Sequence, residues 1–153
     1  MAEKILLMSD IHITEPGTQI IGLDPAARFW RCLTHAAEHH ADAAHLFLMG
    51  DLTHHGQVAQ YKILKQCLAD QPFPATLMLG NHDRRRAFAE VFPECEPGFR
   101  QGRHSFGDTD VLYLDTLDEQ AEDRHSGRLC PDRLNWLKSE LEARQRPVII
   151  LSH

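Results

Sequence analysis

Four short segments of the chain carry side chains that could bind metal ions, and each follows an apolar run typical of a buried strand. They are Asp10-Ile11-His12, Gly50-Asp51, Gly80-Asn81-His82-Asp83 and Ser152-His153. In open α/β sheets, ligands bind where the strands end at their carboxyl edge. We therefore expect these carboxylates, imidazoles and one amide to meet at that edge. Such a ligand set is typical of a two-metal hydrolytic centre, which predicts the cleavage of phosphate esters.

The residue types indicate how two ions would share these ligands. Asp51 is the candidate bridging ligand, because a carboxylate has two oxygens and can contact both ions. Asp10 and His12 are two residues apart, so on an extended strand exit both side chains point to one side and can bind one ion. The other ion would take the amide oxygen of Asn81 and an imidazole nitrogen of His153.

The next two residues after Asn81 are expected to act without binding metal. Neighbours in an extended segment point to opposite sides, so His82 would diverge from Asn81. His82 is the candidate catalytic residue, placed to donate to a phosphoryl oxygen or to protonate the leaving alkoxide. Asp83 is expected to orient its loop or an imidazole.

Strands and helices that could position these residues alternate along the chain. Strands are predicted at 5–8, 44–49, 75–79 and 147–151, with a hairpin formed by 103–106 and 111–114. Helices are predicted at 25–40, 57–68 and 84–91, and a last one opens at Cys130-Pro131-Asp132. A polar loop is predicted at 115–127. This order indicates an α/β fold in one domain of residues 1–153, with its first strand central in a parallel sheet.

Helical spacing also predicts which large side chains are buried. The aromatic residues expected in the core are Phe29, Trp30, Tyr61 and Trp136. Leu134, Leu137 and Leu141 would form one face of the last helix.

Composition narrows the class of protein further. The 153 residues carry a net charge of −6, which argues against a nucleic-acid partner. Only four apolar residues precede Ser9-Asp10, too few for a signal sequence or a membrane span, so we expect a cytoplasmic protein without a membrane partner. The four cysteines form no CxxC pair and are expected to be reduced thiols. Self-association into a homo-oligomer stays open.

The ordered segments resemble the calcineurin-like metallophosphoesterases. The signature of that family is DxH, then GD, then GNH(D/E), then a strand-end His, then GHxH, and the chain matches the first four blocks over essentially its whole length. Finer features resemble the bacterial class III cyclic-nucleotide phosphodiesterases and their glycerophosphodiesterase relatives. These features are Gly22-Leu23-Asp24, Gly56 to Tyr61, Ser126-Gly127-Arg128-Leu129 and Leu134-Asn135-Trp136-Leu137.

The resemblance implies an αββα sandwich with two metal ions at the carboxyl edge of its sheets. It implies that Asp10, His12 and Asp51 bind one ion, and that Asp51, Asn81 and His153 bind the other. A metal-bridging hydroxide would attack phosphorus while His82 assists the leaving group.

The chain departs from the family pattern at two points. The GHxH block is absent, so the sequence is expected to be the N-terminal portion of a longer protein, or the product of a truncated gene, in which the sandwich is incomplete. Many members carry an Asp three residues after the bridging Asp, where this chain has His54.

The leading hypothesis is a binuclear-metal phosphodiesterase that acts on a small diester, either a cyclic nucleotide or a glycerophosphodiester. Phosphomonoesters, nucleotide-linked lipids and nucleic-acid ends are alternative substrates of the same site, and a non-catalytic scaffold is the alternative of another class. Mixed carboxylate, imidazole and amide ligands suit Mn, Fe, Zn or Co comparably.

Overall fold

Three parallel strands form the sheet on which most of the predicted ligands depend. The computed structural model describes residues 3–95, 98–123 and 125–153. In the first sheet, β1 (Lys4–Met8) pairs with β2 (Ala43–Met49), which pairs with β3 (Ala75–Met78). Helices α1 (Pro25–His39) and α2 (Val58–Leu68) connect these strands. Each crossover through a helix allows the next strand to run parallel to the last.

A second three-stranded sheet is built from the C-terminal half of the chain. The hairpin β4 (Gly102–Phe106) and β5 (Thr109–Tyr113) is antiparallel, and β6 (Val148–Leu151) pairs parallel with β5. Helix α3 (Arg85–Val91) precedes this sheet, and α4 (Pro131–Glu142) lies between β5 and β6 in sequence. The predicted helices and strands are all present, with boundaries within two residues.

The two sheets pack face to face because β2 buries apolar side chains on both of its faces. Leu46 and Leu48 belong to the core beneath α1, α2 and α3. Phe47 points the other way and packs with Met78 and Val111 between the sheets. This layering of helices on a sheet on a second sheet confirms the predicted α/β class.

Local sequence signals set the start of α1 as predicted. Asp24 is the N-cap, and its Oδ1 accepts a hydrogen bond of 3.0 Å from the backbone N–H of Ala27. Pro25 occupies the first turn, where its missing N–H has no partner to lose.

Three packing expectations are wrong. Trp30 is 57% exposed although Phe29 and Tyr61 are buried as predicted. On α4, Leu134 and Leu141 are exposed, because the buried side chain of that helix is Arg133, which donates to the Asp115 carbonyl at 2.7 Å. Among the described residues β1 pairs with β2 alone and Leu7 is exposed, so in this part of the chain the strand is not central.

Two sequence expectations concern segments outside this core. Among the described residues, no helix has the length and apolar content that a bilayer crossing requires. The predicted loop 115–127 has neither helix nor strand in its described part, and Arg124 lies outside the described residues.

Candidate metal centre

The Asp51 carboxylate lies between two imidazoles directly after β2. Its Oδ1 is 3.3 Å from Nε2 of His153, and its Oδ2 is 3.5 Å from Nε2 of His12. The side chain is buried, whereas both imidazoles are half-buried. Each carboxylate oxygen therefore faces a different nitrogen ligand, which is the arrangement that a carboxylate bridging two ions needs.

A second carboxylate joins this group. Oδ1 of Asp10 is 3.9 Å from Nε2 of His12, and the ligand atoms of Asp10, Asp51 and His153 all lie within 4.8 Å of one another. Two ionised carboxylates this close repel each other unless a cation lies between them. The donor set of oxygens and imidazole nitrogens therefore fits divalent metal ions.

The backbone at three predicted ligands is left-handed. The φ angles are +56° at Asp10, +50° at His12 and +48° at Asp51, a region that side-chain-bearing residues rarely adopt. Such strain persists where surrounding contacts hold it and is concentrated at functional sites. Here the N–H of His12 donates to the Asp51 carbonyl at 2.8 Å, and the N–H of Asp10 donates to the Gly50 carbonyl at 3.3 Å.

This geometry corrects the argument by which Asp10 and His12 were expected to converge. The two residues follow β1 in a loop, not in an extended strand exit. Their side chains do meet, because the backbone is left-handed at both positions. The spacing of the two residues in sequence gives no indication of this backbone conformation.

Two glycines make room for the centre. Gly50 has a φ of +94°, and a Cβ there would lie 2.6 Å from Cγ of His153. A Cβ at Gly80 would lie 2.3 Å from Oδ1 of Asp51. The glycine in each of the segments Gly50-Asp51 and Gly80-Asn81 is thus required by close approach to the ligands.

His153 brings the second sheet to the centre. It follows β6, and its Nδ1 lies 2.8 Å from the Met49 carbonyl, which can only accept, so Nδ1 carries the proton and Nε2 is free towards Asp51. The hydroxyl of Thr116 donates to the His153 carbonyl at 2.6 Å. Backbone contacts therefore fix the imidazole in the tautomer that a metal ligand needs.

Electrostatic coupling between Asp51 and His153 appears in both pKa values. Burial raises the pKa of Asp51, whereas the imidazole of His153 and the N–H of His82 lower it. Together these two groups outweigh burial, so the net shift of the pKa is downward. The Asp51 carboxylate raises the pKa of His153, and burial opposes this shift only in part.

The structure places His82 beside the ligands, with one ring nitrogen fixed. Its N–H donates to Oδ1 of Asp51 at 2.9 Å, and its ring centroid is 4.7 Å from that of His12. Its Nδ1 donates to the carbonyl of His54 at 2.7 Å, which leaves Nε2 available. Residues 81–82 form a turn, so the expectation of an extended segment was wrong.

Asn81 lies at the rim of the same centre. It is half-buried and lines a small cavity together with Gly80 and His153. Its backbone carbonyl accepts a hydrogen bond from the guanidinium of Arg84 at 3.3 Å. The fold thus brings all six predicted site residues to one edge of the two sheets.

Asp83 orients the loops around the centre, as predicted. Its carboxylate accepts hydrogen bonds from the N–H groups of Leu52, Thr53 and Gly80 and from the hydroxyls of Thr53 and Tyr61, at 2.8 to 3.1 Å. Burial raises the pKa of Asp83, and the three N–H groups oppose that shift. The side chain ties the segment after β2 to the segment after β3.

His54 contributes to the candidate centre through its backbone and its side chain, whereas the sequence left open a supporting role or a solvated loop position. Its backbone carbonyl holds His82, and its Nδ1 is 3.4 Å from Nδ1 of His12. Burial and the neighbouring histidines lower the pKa of His54. The main-chain contact leaves no residue-type signal in the sequence, whereas the side chain occupies the position three residues after Asp51 at which the chain departs from the family pattern.

An open cavity of about 270 Å³ adjoins the centre. Its lining consists of His54, His55, Asn81, His82, Arg84, Asp123 and His125. Arg84 is held at its wall, because a nitrogen of its guanidinium donates to the Asp83 carbonyl at 2.6 Å. A polar cavity beside the candidate ligands has room for a small polar substrate.

Comparison with known proteins places this geometry in a family. The family model described as calcineurin-like phosphoesterase matches residues 3–153. A probable cyclic nucleotide phosphodiesterase of Rhodopseudomonas palustris is 37% identical over 98% of this chain and 56% of its own length. A probable glycerophosphodiester phosphodiesterase of Arcobacter nitrofigilis is 25% identical over 90% of this chain and 51% of its own length.

A solved structure shows the same fold. The purple acid phosphatase PPD1 from yellow lupin (Lupinus luteus) seeds superposes with a TM-score of 0.68 at 15% identity, over 100% of this chain and 30% of the plant protein. The chain spans just over half the length of the two bacterial relatives. With a family model that matches nearly every residue, the chain belongs to the calcineurin-like phosphoesterases.

Proposed function

We propose that this protein is a metal-dependent phosphoric ester hydrolase that cleaves a small phosphodiester, a cyclic nucleotide or a glycerophosphodiester. The observation that carries the proposal is the buried Asp51 carboxylate, which faces His12 with one oxygen and His153 with the other. The names of the two bacterial relatives support diesters as the substrate class.

The residues present would hold two ions. Asp10, His12 and Asp51 supply one set of ligands, and Asp51, Asn81 and His153 supply the other. When bound, divalent ions such as Mn, Fe, Zn or Co would neutralise charge on the phosphoryl oxygens and activate water as a nucleophile.

His82 is the proposed general acid. The proton on Nδ1 is held by the His54 carbonyl, so proton transfer to the substrate must use Nε2. Protonation of the leaving oxygen matters most when that oxygen would otherwise depart as an alkoxide, as in a ribose or glycerol ester.

We propose a free small molecule as the substrate and the cytoplasm as the location. The net charge of −6 disfavours a nucleic-acid surface, since phosphate backbones attract basic proteins. The adjoining cavity of about 270 Å³ suits a ligand no larger than a nucleotide.

The test compares diesters with a monoester under one set of conditions. The Mn-loaded protein is assayed with cyclic AMP, glycerophosphoethanolamine and the monoester 5′-AMP, all of which release an alcohol, so that the leaving groups are comparable. We expect kcat/KM for at least one diester to exceed that for the monoester by about tenfold or more, a difference of ~1.4 kcal/mol in transition-state stabilisation. A preference for the monoester would overturn the diesterase assignment and leave a phosphomonoesterase.

A further inference from the structure

The imidazoles of His12, His54 and His82 form a compact cluster next to the carboxylate centre. The ring centroid of His12 is 5.3 Å from that of His54 and 4.7 Å from that of His82. The rings of His54 and His82 are stacked with centroids 5.1 Å apart. One nitrogen from each ring lies within 4.8 Å of a nitrogen from each of the others.

The nitrogen separations suit a shared metal ion better than a hydrogen bond. Nδ1 of His12 and Nδ1 of His54 are 3.4 Å apart, beyond the usual hydrogen-bond range of about 2.7–3.2 Å. Two zinc–nitrogen bonds of about 2.0–2.1 Å at a tetrahedral angle would place the nitrogens about 3.3 Å apart. His82 keeps its proton on Nδ1, so its Nε2 lone pair is free to serve as the third ligand.

We propose that His12, His54 and His82 form an all-imidazole site for a borderline transition-metal ion such as Zn²⁺, Ni²⁺ or Cu²⁺. Its chemistry differs from that of the carboxylate centre, because three nitrogens and no charged oxygen favour these ions over Mn²⁺ or Mg²⁺.

The two kinds of site compete for His12. A neutral imidazole has one unprotonated nitrogen. Binding an ion through Nδ1 of His12 moves the ring proton to Nε2, which then faces Oδ2 of Asp51 at 3.5 Å as a donor. His12 can then no longer bind an ion of the carboxylate centre, and His82 is also held as a ligand of the imidazole-bound ion. Excess Zn²⁺ therefore inhibits the Mn²⁺-dependent reaction, an inference that rests on the proposed function.

The binding test uses Cu²⁺ as the probe and needs no catalytic activity. All proteins carry His35→Gln and His39→Gln, because the rings of these two exposed residues on α1 are 4.4 Å apart and would bind copper themselves. Adding His54→Gln removes one ligand but keeps the main-chain carbonyl that holds His82. His55→Gln, one residue further on, is the matched control.

We expect electron paramagnetic resonance of the background protein to show a Cu²⁺ ion with three nitrogen ligands. The added His54→Gln should lower the nitrogen count and weaken Cu²⁺ affinity by about tenfold or more, and His55→Gln should change neither. Equal spectra and affinities with and without His54 would overturn the site.

The competition test adds Zn²⁺ to the Mn²⁺-loaded proteins and compares each hydrolysis rate with the rate of the same protein before addition. The background and His55→Gln proteins should lose activity at a Zn²⁺ concentration about tenfold lower than the His54→Gln protein requires. Equal sensitivity would overturn the competition. If no protein turns over substrate before Zn²⁺ is added, the proposed function fails, while the copper measurement still decides the site.

Discussion

At the scale of single residues, the convergence of the candidate ligands could be predicted and their backbone conformation could not. Carboxylates and imidazoles directly after apolar runs are visible in the sequence, and Asp10, Asp51 and His153 do converge. The left-handed φ angles that aim two of them depend on contacts between loops distant in sequence. The main-chain contact of His54 with His82 is equally invisible, because any residue at that position has a carbonyl.

Replacing His82 by Asn should lower kcat in a way that depends on the leaving group. A general acid typically contributes 10²–10⁴-fold when the leaving oxygen is a poor one. p-Nitrophenolate leaves without protonation, so hydrolysis of bis(p-nitrophenyl) phosphate should fall far less than hydrolysis of a glycerol or ribose diester. Steady-state kinetics on both substrates checks this, and an equal loss on both would remove His82 from the role of general acid.

Asp83→Asn should destabilise the fold by about 3 kcal/mol, because an amide nitrogen replaces an oxygen that accepts hydrogen bonds from buried N–H and O–H groups. Urea unfolding gives the free energy of unfolding. The matched control is Asp108→Asn in the exposed β4–β5 turn, which should change it by less than about 0.5 kcal/mol. Equal effects of the two substitutions would contradict the role of Asp83.

At the scale of elements, the order and type of the described helices and strands could be predicted from the sequence, because a proline or glycine marks the boundary of several of them. Pro25 and Pro131 are the first residues of α1 and α4. Gly50 directly follows β2, and Gly80 lies two residues after the end of β3. Packing was harder to predict. The exposed leucines of α4 satisfy a helical pattern, yet the side chain that α4 buries is Arg133, since the Asp115 carbonyl gives it a partner.

A buried polar link joins the two sheets. Nε2 of His45 in β2 and Nε2 of His104 in β4 each lie 2.9 Å from the hydroxyl of Thr76 in β3. Burial lowers the pKa of His45 from 6.5 to about 4, and the neighbouring His104 adds to the shift. Burial also lowers the pKa of His104. Both groups are therefore easier to protonate in the unfolded chain than in the folded one.

Acid should weaken the fold through this link. The contribution of His45 is fully present above pH 6.5 and is lost as the pH falls through 6.5 towards 4, a loss of about 3 kcal/mol. Urea unfolding between pH 4.5 and 7.5 should show this slope in the wild type and a smaller one in His45→Gln. His39→Gln, which changes an exposed histidine on α1, should keep the wild-type slope. An unchanged slope in His45→Gln would exclude the link as its source.

At the scale of the whole molecule, the candidate centre is a junction between the sheets. Asp10 and Asp51 follow strands of the first sheet, whereas His153 follows β6 of the second. Their convergence across a large distance in sequence follows from the packing of Phe47 and Met78 against Val111 and Leu151 between the sheets. The position of the centre was predicted from the rule that ligands bind at the carboxyl ends of parallel strands, and the resemblance to the calcineurin-like phosphoesterases implied the same edge.

Metal binding should therefore raise the free energy of unfolding of the whole molecule, because the candidate ligands follow strands of both sheets. Ions that bind only the folded state add about 2.7 kcal/mol per site at a concentration of 100 Kd. Thermal unfolding should show a higher Tm with Mn²⁺ than with a chelator, and Asp51→Asn should reduce the difference strongly. A Tm in the wild type that does not respond to Mn²⁺ would contradict a metal centre shared between the sheets.

The proposed phosphodiesterase function requires the Asp51 carboxylate to hold the metal ions. Its most direct test is the hydrolysis of bis(p-nitrophenyl) phosphate by the purified protein, metal-free and Mn²⁺-loaded, beside the same pair of measurements on Asp51→Asn. We expect turnover in the Mn²⁺-loaded wild type alone. Equal rates with and without Mn²⁺, or full activity in the Mn²⁺-loaded Asp51→Asn protein, would contradict the proposed function.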